Sequence, residues 1–334
     1  MNRESILGCL PQCIERYGFT SVVAEKVCTW VYRKRVTSFD LMMDIPKPVR
    51  NDLCSKFSIS LPSPVEAAES VDGSVKYLFK TDLGNPFEAV FMPTGGRGTL
   101  CISTQSGCRM ACSFCYTGSM GFRQNLSAGE IVGQVLGVPQ ASRVNRIVIM
   151  GMGEPLDNFN ETLKALDILT ASWGVAFGAS NITLSTIGVL PELQSLIEMR
   201  KCNIAVSLHC PFGKGRAKLM PSEILHPILN TIELLRKYPV KKPLRLSFEY
   251  LVIPGVNDSQ KDAVGVAQLL FGLKSHVNVI PYNSPEVADK ENAKAKKFQK
   301  LLNKLGVPAT FRQPRGFDIS AACGMLAAKS EGTV

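Results

Sequence analysis

The sequence predicts an α/β fold in which parallel strands alternate with helices, preceded by a helical domain and a short hairpin. From about residue 99 onward, short strand-like segments rich in apolar residues alternate with helical patterns, as in successive βαβ units. Six such units are too few for a closed eight-stranded barrel, so they form either a doubly wound sheet or a partial barrel. The 45% of hydrophobic residues among 334 can fill a core of that size.

Two smaller regions come before these units. Residues 1–65 are predicted to be a helical domain, because apolar residues recur at helical spacing until Pro62 and Pro64 end the pattern. Residues 66–98 are predicted to be a β-hairpin extension, which carries Glu88 on its second strand.

The third domain covers residues 99–334. Its clearest helix begins at Ser127, which forms a capping box with Glu130. In both architectures functional residues are expected at the carboxyl ends of the strands. We predict those strands at residues 99–104, 146–150, 181–185, 203–208, 245–252 and 277–281.

The charge and the apolar pattern restrict the classes of partner. A formal net charge of +10 suits a polyanion such as a nucleic acid, although solubility alone would also account for it. No stretch approaches the roughly 20 apolar residues that span a membrane, and the first residues lack a secretory pattern. We therefore expect a cytoplasmic protein, in which the eleven cysteines do not form a disulfide framework.

Three of those cysteines have a spacing that indicates a metal centre. Cys108, Cys112 and Cys115 follow the first predicted barrel strand in a C-x3-C-x2-C pattern. Three thiolates can bind three irons of a [4Fe–4S] cluster and leave the fourth open to the amino and carboxylate groups of S-adenosylmethionine (SAM). A zinc site is the alternative, but zinc usually takes four ligands, and His209, His226 and His276 are remote in sequence.

Small polar residues follow successive predicted strands, as binding of a nucleoside cofactor in the barrel mouth would require. After the second strand, glycines let a ligand approach the backbone, and Glu154 can accept hydrogen bonds from an ammonium group. Taken singly, each of these residues is more often a satisfied polar group at a strand end. The candidate cofactor-binding residues are Gly153, Glu154, Ser185, Ser207, Leu208, His209 and Asn283.

Further segments of the chain complete the pattern, namely 99–103, 107–122, 151–156, 184–186, 207–209, 255–258, 280–283 and 321–324. With these segments, nearly the whole chain resembles the RlmN/Cfr family of radical SAM RNA methyltransferases. The resemblance implies a partial (β/α)6 TIM-like radical SAM barrel, one [4Fe–4S] cluster and two SAM molecules per turnover. It also implies that residues 1–65 are an accessory domain that contacts RNA. Trp30 and Tyr32 could stack on bases there, although such a run is more often the core of a helix.

The resemblance also implies roles for three residues outside the cluster motif. In the family, a first SAM methylates a cysteine that corresponds to Cys323. A 5′-deoxyadenosyl radical from a second SAM takes hydrogen from that methyl group, and the carbon radical adds to an adenine ring. Cys101 corresponds to the cysteine that resolves the adduct through a transient disulfide with Cys323, and Glu88 to the proposed base for the ring proton. Without the resemblance, these residues would be interpreted as two core cysteines and a solvent-facing strand residue.

The family has two branches, which methylate carbon 2 (RlmN) or carbon 8 (Cfr) of an adenosine in 23S rRNA. Residues 153–156 resemble the RlmN branch, whereas 185–188, 210–212 and 280–284 lean towards Cfr. We favour methylation at carbon 2, with a tRNA anticodon-loop adenosine as a further candidate substrate. We expect a monomer that receives electrons from a flavodoxin or ferredoxin. The alternatives are Cfr-like methylation at carbon 8 and a non-catalytic RNA-binding protein stabilised by zinc.

Overall fold

A computed structural model describes residues 3–282 and 288–326. The first region contains helices α1 (Pro11–Glu15), α2 (Ser21–Cys28) and α3 (Lys47–Lys56), together with a parallel pair of two-residue strands, β1 (Glu4–Ser5) and β2 (Phe57–Ser58). A π-helical turn, Thr29–Arg33, continues α2, and a 3-10 turn covers Phe39–Leu41.

The side chain of Tyr32 belongs to the core of this region. It is fully buried, and its hydroxyl donates to the carbonyl oxygens of Ile6 and Cys9 at 3.0 and 2.8 Å. Of the two alternatives for Tyr32, the structure therefore supports helix core, because the ring has no exposed face that could stack on RNA. Trp30 is only partly buried, and the Lys34 ammonium lies 3.3 Å from its ring centre.

The central sheet has ten strands, and it begins as an antiparallel meander. This part consists of β3 (Glu66–Glu69), β4 (Val75–Lys80), β5 (Pro86–Thr94) and β6 (Arg97–Cys101). The predicted hairpin is present as β4 and β5, with its turn at residues 81–85. It is not a separate extension, because β5 pairs with β6 and continues the main sheet.

The remaining strands of the sheet run parallel to β6. Between β6 and the next of these strands in sequence, β7 (Gln105–Gly107) and β8 (Phe122–Asn125) form a separate two-stranded antiparallel sheet. The parallel strands are β9 (Val144–Ile149), β10 (Ile182–Thr186), β11 (Asn203–Ser207), β12 (Leu246–Val252), β13 (His276–Pro281) and β14 (Ala309–Phe311). All six predicted barrel strands are present, and β14 is a seventh parallel strand that the sequence analysis missed.

Helices alternate with these strands, which confirms the α/β class. The capping box at the start of α5 is formed as predicted, with Ser127 N–H donating to Glu130 at 2.7 Å and Glu130 N–H to the Ser127 hydroxyl at 3.2 Å. The helices are α4 (Tyr116–Ser119), α5 (Ala128–Gly137), α6 (Phe159–Thr170), α7 (Glu192–Met199), α8 (Gly213–Leu219), α9 (Ile228–Lys237), α10 (Gln260–Leu270) and α11 (Ala288–Lys304), with 3-10 turns at Ala179–Asn181 and Pro221–Ile224. Within the described ranges, no helix is long and apolar enough to cross a membrane.

The alternation of side chains along the strands separates the core from a central cavity. On β12, Phe248 and Tyr250 belong to the hydrophobic core, and the Tyr250 ring stacks on Phe298 of α11 at 4.8 Å. Ser247 and Glu249, which alternate with them, line the cavity instead. The sheet therefore directs one face of each strand to the helices and the other to the interior of a partial barrel, where the candidate site lies.

Candidate active site

The three motif cysteines lie in the loop between β7 and α4, and all three line a cavity of about 1010 Å³ inside the partial barrel. The loop begins at Gly107, which has a φ of +74°. A Cβ at this position would lie 1.8 Å from the Gly121 carbonyl oxygen, so a side chain does not fit here. Cys108 N–H then donates to that same oxygen at 3.2 Å. The β7–β8 sheet therefore holds the loop closed at its base.

The thiols fit an iron–sulfur cluster better than a single zinc ion. Burial raises the pKa of Cys108 to about 12 and also raises that of Cys112, so these thiols need a bound cation to become thiolates. In the part of the chain that the structure describes, no group of three His, Cys, Asp or Glu side chains converges as one metal ion would require. A cubane cluster instead takes one thiolate on each of three irons.

The glycine loop after β9 packs tightly against the end of β6 and against β7. A Cβ on Gly151 would lie 2.6 Å from the Ser103 hydroxyl, and one on Gly153, whose φ is +96°, 2.5 Å from Gln105 Cβ. Both glycines also line the cavity. The need for glycine therefore comes first from packing between the strand ends, and not only from the approach of a ligand, as the sequence suggested.

Glu154 is buried at the cavity wall with part of its carboxylate already bonded. It accepts hydrogen bonds from the N–H groups of Leu156 and Ile187 at 3.1 and 2.9 Å. Burial raises the pKa of Glu154 to about 7, against the opposing effect of these donors and of the Thr186 hydroxyl. A cationic ligand would favour the ionised form, so the predicted contact with an ammonium group is chemically reasonable.

His209 faces the cavity as a neutral imidazole. Its ring accepts the Leu251 N–H at Nδ1 (3.0 Å), so the neutral ring carries its proton on Nε2. Burial, with a contribution from the Arg216 charge, lowers the pKa of His209 to about 3. The ring packs edge-on against Phe114 of the cysteine loop, with 4.8 Å between the ring centres.

The other predicted cofactor-binding residues have different outcomes. Ser185 and Ser207 line the cavity. Leu208 does not, because the alternation of the strand turns its side chain into the core, and its backbone N–H and carbonyl are bonded to Glu249 and Arg216. Leu208 is therefore corrected to a core residue. Asn283 lies outside the described residues.

Arg216, which the sequence analysis missed, joins the strand ends beneath this site. Its side chain is fully buried and pairs with Glu223. The guanidinium also donates to the carbonyl oxygens of Ile187, Ser207 and Leu208 at 3.1, 2.7 and 3.1 Å. An arginine within a short helix gives no sequence signal for such a role, because its contacts are with residues 7 to 29 positions away.

The C-terminal tail docks on the cysteine loop. Tyr116 N–H donates to the Gly324 carbonyl at 2.8 Å, and the Thr117 hydroxyl donates to the Leu326 carbonyl at 2.7 Å. Further back along the tail, Asp318 accepts hydrogen bonds from Ser70 and from the Val71 N–H at 2.5 and 3.0 Å. The tail is therefore fixed at both ends of the segment that carries Cys323.

This docking brings Cys323 and Cys101 into the same cavity. Both line it, although 222 positions separate them in the sequence. Burial and then the proximity of Cys323 raise the pKa of Cys101 to about 12. Cys323 is exposed towards the cavity while the surrounding protein shields its thiol, and this burial, followed by the charges of Glu249 and Cys115, raises its pKa to about 11.

None of the eleven cysteines is joined to another by a disulfide bond. The disulfide between Cys101 and Cys323 is therefore not a feature of this structure, and such a bond belongs only to a proposed step of turnover.

Glu88 is buried, which corrects the interpretation of this residue as a solvent-facing strand position. It is 1% exposed and lies on the same face of β5 as Val90 and Met92, two residues that line the cavity. Glu88 itself is not among the lining residues. Its Oε1 lies 3.3 Å from Lys76 Nζ.

Glu249 is a second carboxylate that the sequence analysis missed. It lines the cavity from β12 and accepts hydrogen bonds from Asn278 and Ser247 at 2.7 and 3.3 Å. Burial raises the pKa of Glu249, and the charge of Arg312 partly offsets that effect. Its position between Phe248 and Tyr250 on a predicted strand was a usable signal, because a lone acidic residue between buried aromatics faces the opposite side of the sheet.

The partial barrel, its cavity and the three-thiolate loop define the class of radical SAM enzymes. Residues 102–266 match the family model for the radical SAM superfamily, and residues 10–59 match that for the ribosomal RNA large subunit methyltransferase N-terminal domain. A solved radical SAM methyltransferase from Sphaerobacter thermophilus superposes with a TM-score of 0.85 and 38% identity, covering 97% of this chain and 98% of that one.

Curated relatives identify the family within this class. A probable dual-specificity RNA methyltransferase RlmN from Bacteroides thetaiotaomicron is 42% identical over 99% of this chain and 98% of its own length. The dual-specificity RNA methyltransferase RlmN from Syntrophotalea carbinolica is 41% identical over 92% of this chain and 84% of its own length. The chain belongs to the RlmN family of radical SAM RNA methyltransferases, a class that implies a [4Fe–4S] cluster, SAM and an RNA substrate.

Replacing one motif cysteine tests the cluster assignment. We expect Cys112→Ser protein, reconstituted with iron and sulfide without oxygen, to be nearly colourless and to retain much less iron, because a ligand thiolate is lost. Cys54→Ser, which changes an exposed cysteine remote in sequence, should retain the brown colour of the wild type. One bound zinc and no iron in the wild-type protein would contradict the assignment.

The neutral state of His209 predicts a pH dependence of stability. Its folded pKa of about 3 lies below the ordinary 6.5, so between these values the unfolded chain binds a proton that the folded chain does not. Folding stability from this group is therefore lost as pH falls below about 6.5. We expect the melting temperature, followed anaerobically by circular dichroism from about pH 7.5 to 5.5, to fall more in the wild type than in His209→Asn.

Asparagine is the matched replacement because it tolerates the left-handed φ of +52° at this position and can still accept the Leu251 N–H. Parallel pH curves for the two proteins would contradict the neutral assignment, since other groups titrate equally in both.

Proposed function

We propose that this protein methylates carbon 2 of an adenosine in the peptidyl-transferase centre of 23S rRNA. The observation that carries the proposal is that the docked tail holds Cys323 in the cavity of the cysteine loop, with Cys101 nearby on β6. A thiol that is exposed to the cavity and belongs to no cluster motif suits a methyl carrier, and a second thiol near it suits a resolving nucleophile.

Three sets of residues have separate roles in the proposed reaction: they hold the cluster, bind SAM and carry the methyl group. Cys108, Cys112 and Cys115 would hold the [4Fe–4S] cluster, and the loop with Gly153 and Glu154, together with Ser185, Ser207 and His209, would bind SAM. When bound, the cluster and SAM together supply a 5′-deoxyadenosyl radical able to take hydrogen from a methyl group. Cys323 would carry that methyl group on its sulfur and become covalently linked to the RNA base.

Release of the product would then depend on Glu88 and Cys101. Glu88 would take the proton from the ring carbon. Cys101 would lose its thiol proton and attack the Cys323 sulfur, forming a transient disulfide. The bond between that sulfur and the transferred carbon would break, and the carbon would take up a proton to become the methyl group. A cytosolic thiol reductant would restore both thiols before the next turnover.

Carbon 2 is favoured over carbon 8 by the name RlmN of the two curated relatives described above, and by the RlmN-like residues 153–156. Their description as dual-specificity enzymes supports an anticodon-loop adenosine of tRNA as a second substrate. Arginines that line the cavity suit either polyanion, namely Arg146, Arg245, Arg312 and Arg315. We further propose that the protein acts as a monomer in the cytoplasm with a flavodoxin- or ferredoxin-type electron donor.

Nucleoside analysis tests the choice of substrate and ring carbon. Reconstituted protein should convert an adenosine of 23S rRNA from a strain lacking the modification into 2-methyladenosine, detected by liquid chromatography and mass spectrometry. The same RNA incubated with the Cys112→Ser protein is the control and should remain unmodified. Formation of 8-methyladenosine without 2-methyladenosine would instead assign the protein to Cfr-like chemistry.

The Cys101→Ala variant tests the resolving step. We expect it to accumulate a covalent protein–RNA species, visible as a slowly migrating band on a denaturing gel, because no thiol attacks the Cys323 sulfur. Cys202→Ala, which changes a buried cysteine just before β11, should show no such band. Free methylated RNA at the wild-type rate from Cys101→Ala would contradict the assigned role.

A further inference from the structure

Glu88 is paired with a lysine on the neighbouring strand. Lys76 Nζ lies 3.3 Å from Glu88 Oε1, and the two side chains are 16% and 1% exposed. The pair therefore lies mostly inside the protein, where electrostatic interactions are stronger than at the surface.

The register of β4 and β5 determines which lysine makes this contact. Glu88 is directly opposite Leu78, so Lys76 and Lys80 are its two diagonal neighbours on the same face of the sheet. The ion pair is made with Lys76, whereas Lys80 is exposed at the end of the strand. The chain thus offers two lysines at symmetric positions around one carboxylate.

The ion pair restricts the direction of the Glu88 carboxylate. Lys76 Nζ lies 3.3 Å from Oε1, so Glu88 keeps this contact only in rotamers that point Oε1 at the lysine. Because the pair is mostly buried, removal of one partner would leave the other charge without compensation inside the protein.

The backbone of Glu88 is fixed independently of Lys76. Its carbonyl oxygen accepts the Ser103 hydroxyl at 2.6 Å, and the same hydroxyl oxygen accepts the Met152 N–H of the glycine loop at 2.8 Å. The Ser103 N–H donates to Gln134 Oε1, and Gln134 Nε2 donates to the Ser103 carbonyl oxygen, both at 2.9 Å. Loss of the Lys76 charge is therefore expected to change the direction of the Glu88 carboxylate while the strand stays in place.

We propose that Lys76 is a positioning residue that directs the Glu88 carboxylate for removal of the ring proton. The inference rests on the proposed function, in which Glu88 is that base. In the step concerned, the C–H bond of the radical adduct breaks, the proton forms an O–H bond with Glu88, and the electron pair of the broken bond stays on the ring. The ring also gives up its unpaired electron to a one-electron acceptor, a role that an oxidised iron–sulfur cluster would fill, and the proton then passes from Glu88 to solvent.

The test is a single-turnover assay of the reconstituted full-length protein with unmodified RNA. It measures three quantities: 5′-deoxyadenosine, the covalent protein–RNA adduct and the free methylated RNA. Lys76→Met should form 5′-deoxyadenosine at the wild-type rate but resolve the adduct about tenfold or more slowly, which is less than the roughly 10²–10⁴-fold effect of removing a general base. Lys76→Arg should restore most of the resolution rate, because the positive charge returns.

Lys80→Met is the matched control and should behave as the wild type. Lys76→Met that resolves the adduct at the wild-type rate, while Glu88→Gln accumulates it, would overturn the role of Lys76 and leave the proposed function intact. Lys76→Met that loses 5′-deoxyadenosine formation to the same extent as adduct resolution would show a merely structural role. Absence of any methylated RNA with the wild-type protein would instead contradict the proposed function.

Discussion

The site depends on the attachment of the C-terminal tail to the cysteine loop. Two hydrogen bonds, from Tyr116 to Gly324 and from Thr117 to Leu326, join segments that are more than 200 positions apart. The tail is not part of the sheet, and ordering it in the barrel costs conformational entropy. The two hydrogen bonds help to offset that cost. With these contacts, the thiol of Cys323 becomes part of the wall that also contains the cluster-binding loop.

The rest of the barrel keeps that wall in shape by satisfying buried polar groups. Arg216 bonds carbonyl oxygens at the ends of β10 and β11, and Ser103 connects the Glu88 strand to the glycine loop. Each of these groups would carry a desolvation penalty of about 1–3 kcal/mol if its partner were removed. The network therefore fixes the relative positions of several strand ends, from which the cavity residues project.

The cysteine spacing and the positions of the strands could be found from the sequence because both are local properties. A three-cysteine spacing is a short motif, and six strand–helix units leave a periodic pattern. What could not be predicted depends on contacts between distant residues. Arg216 and Glu249 acquire their positions only when the strands assemble, and the choice between helix core and RNA stacking for Tyr32 depends on its contacts inside the N-terminal core. Leu208 was misassigned because a motif was treated as a unit, although alternate residues of a strand face opposite sides.

We propose that the docked tail makes Cys323 the carrier of the methyl group. Mass spectrometry of peptides tests this role, using protein with a reconstituted cluster that is incubated with a reductant and SAM carrying a trideuterated methyl group, in the absence of RNA. We expect a deuterated methyl group on the Cys323 peptide and none on the peptide that contains Cys101. A Cys323 peptide that stays unmodified, while the same preparation methylates RNA, would contradict it.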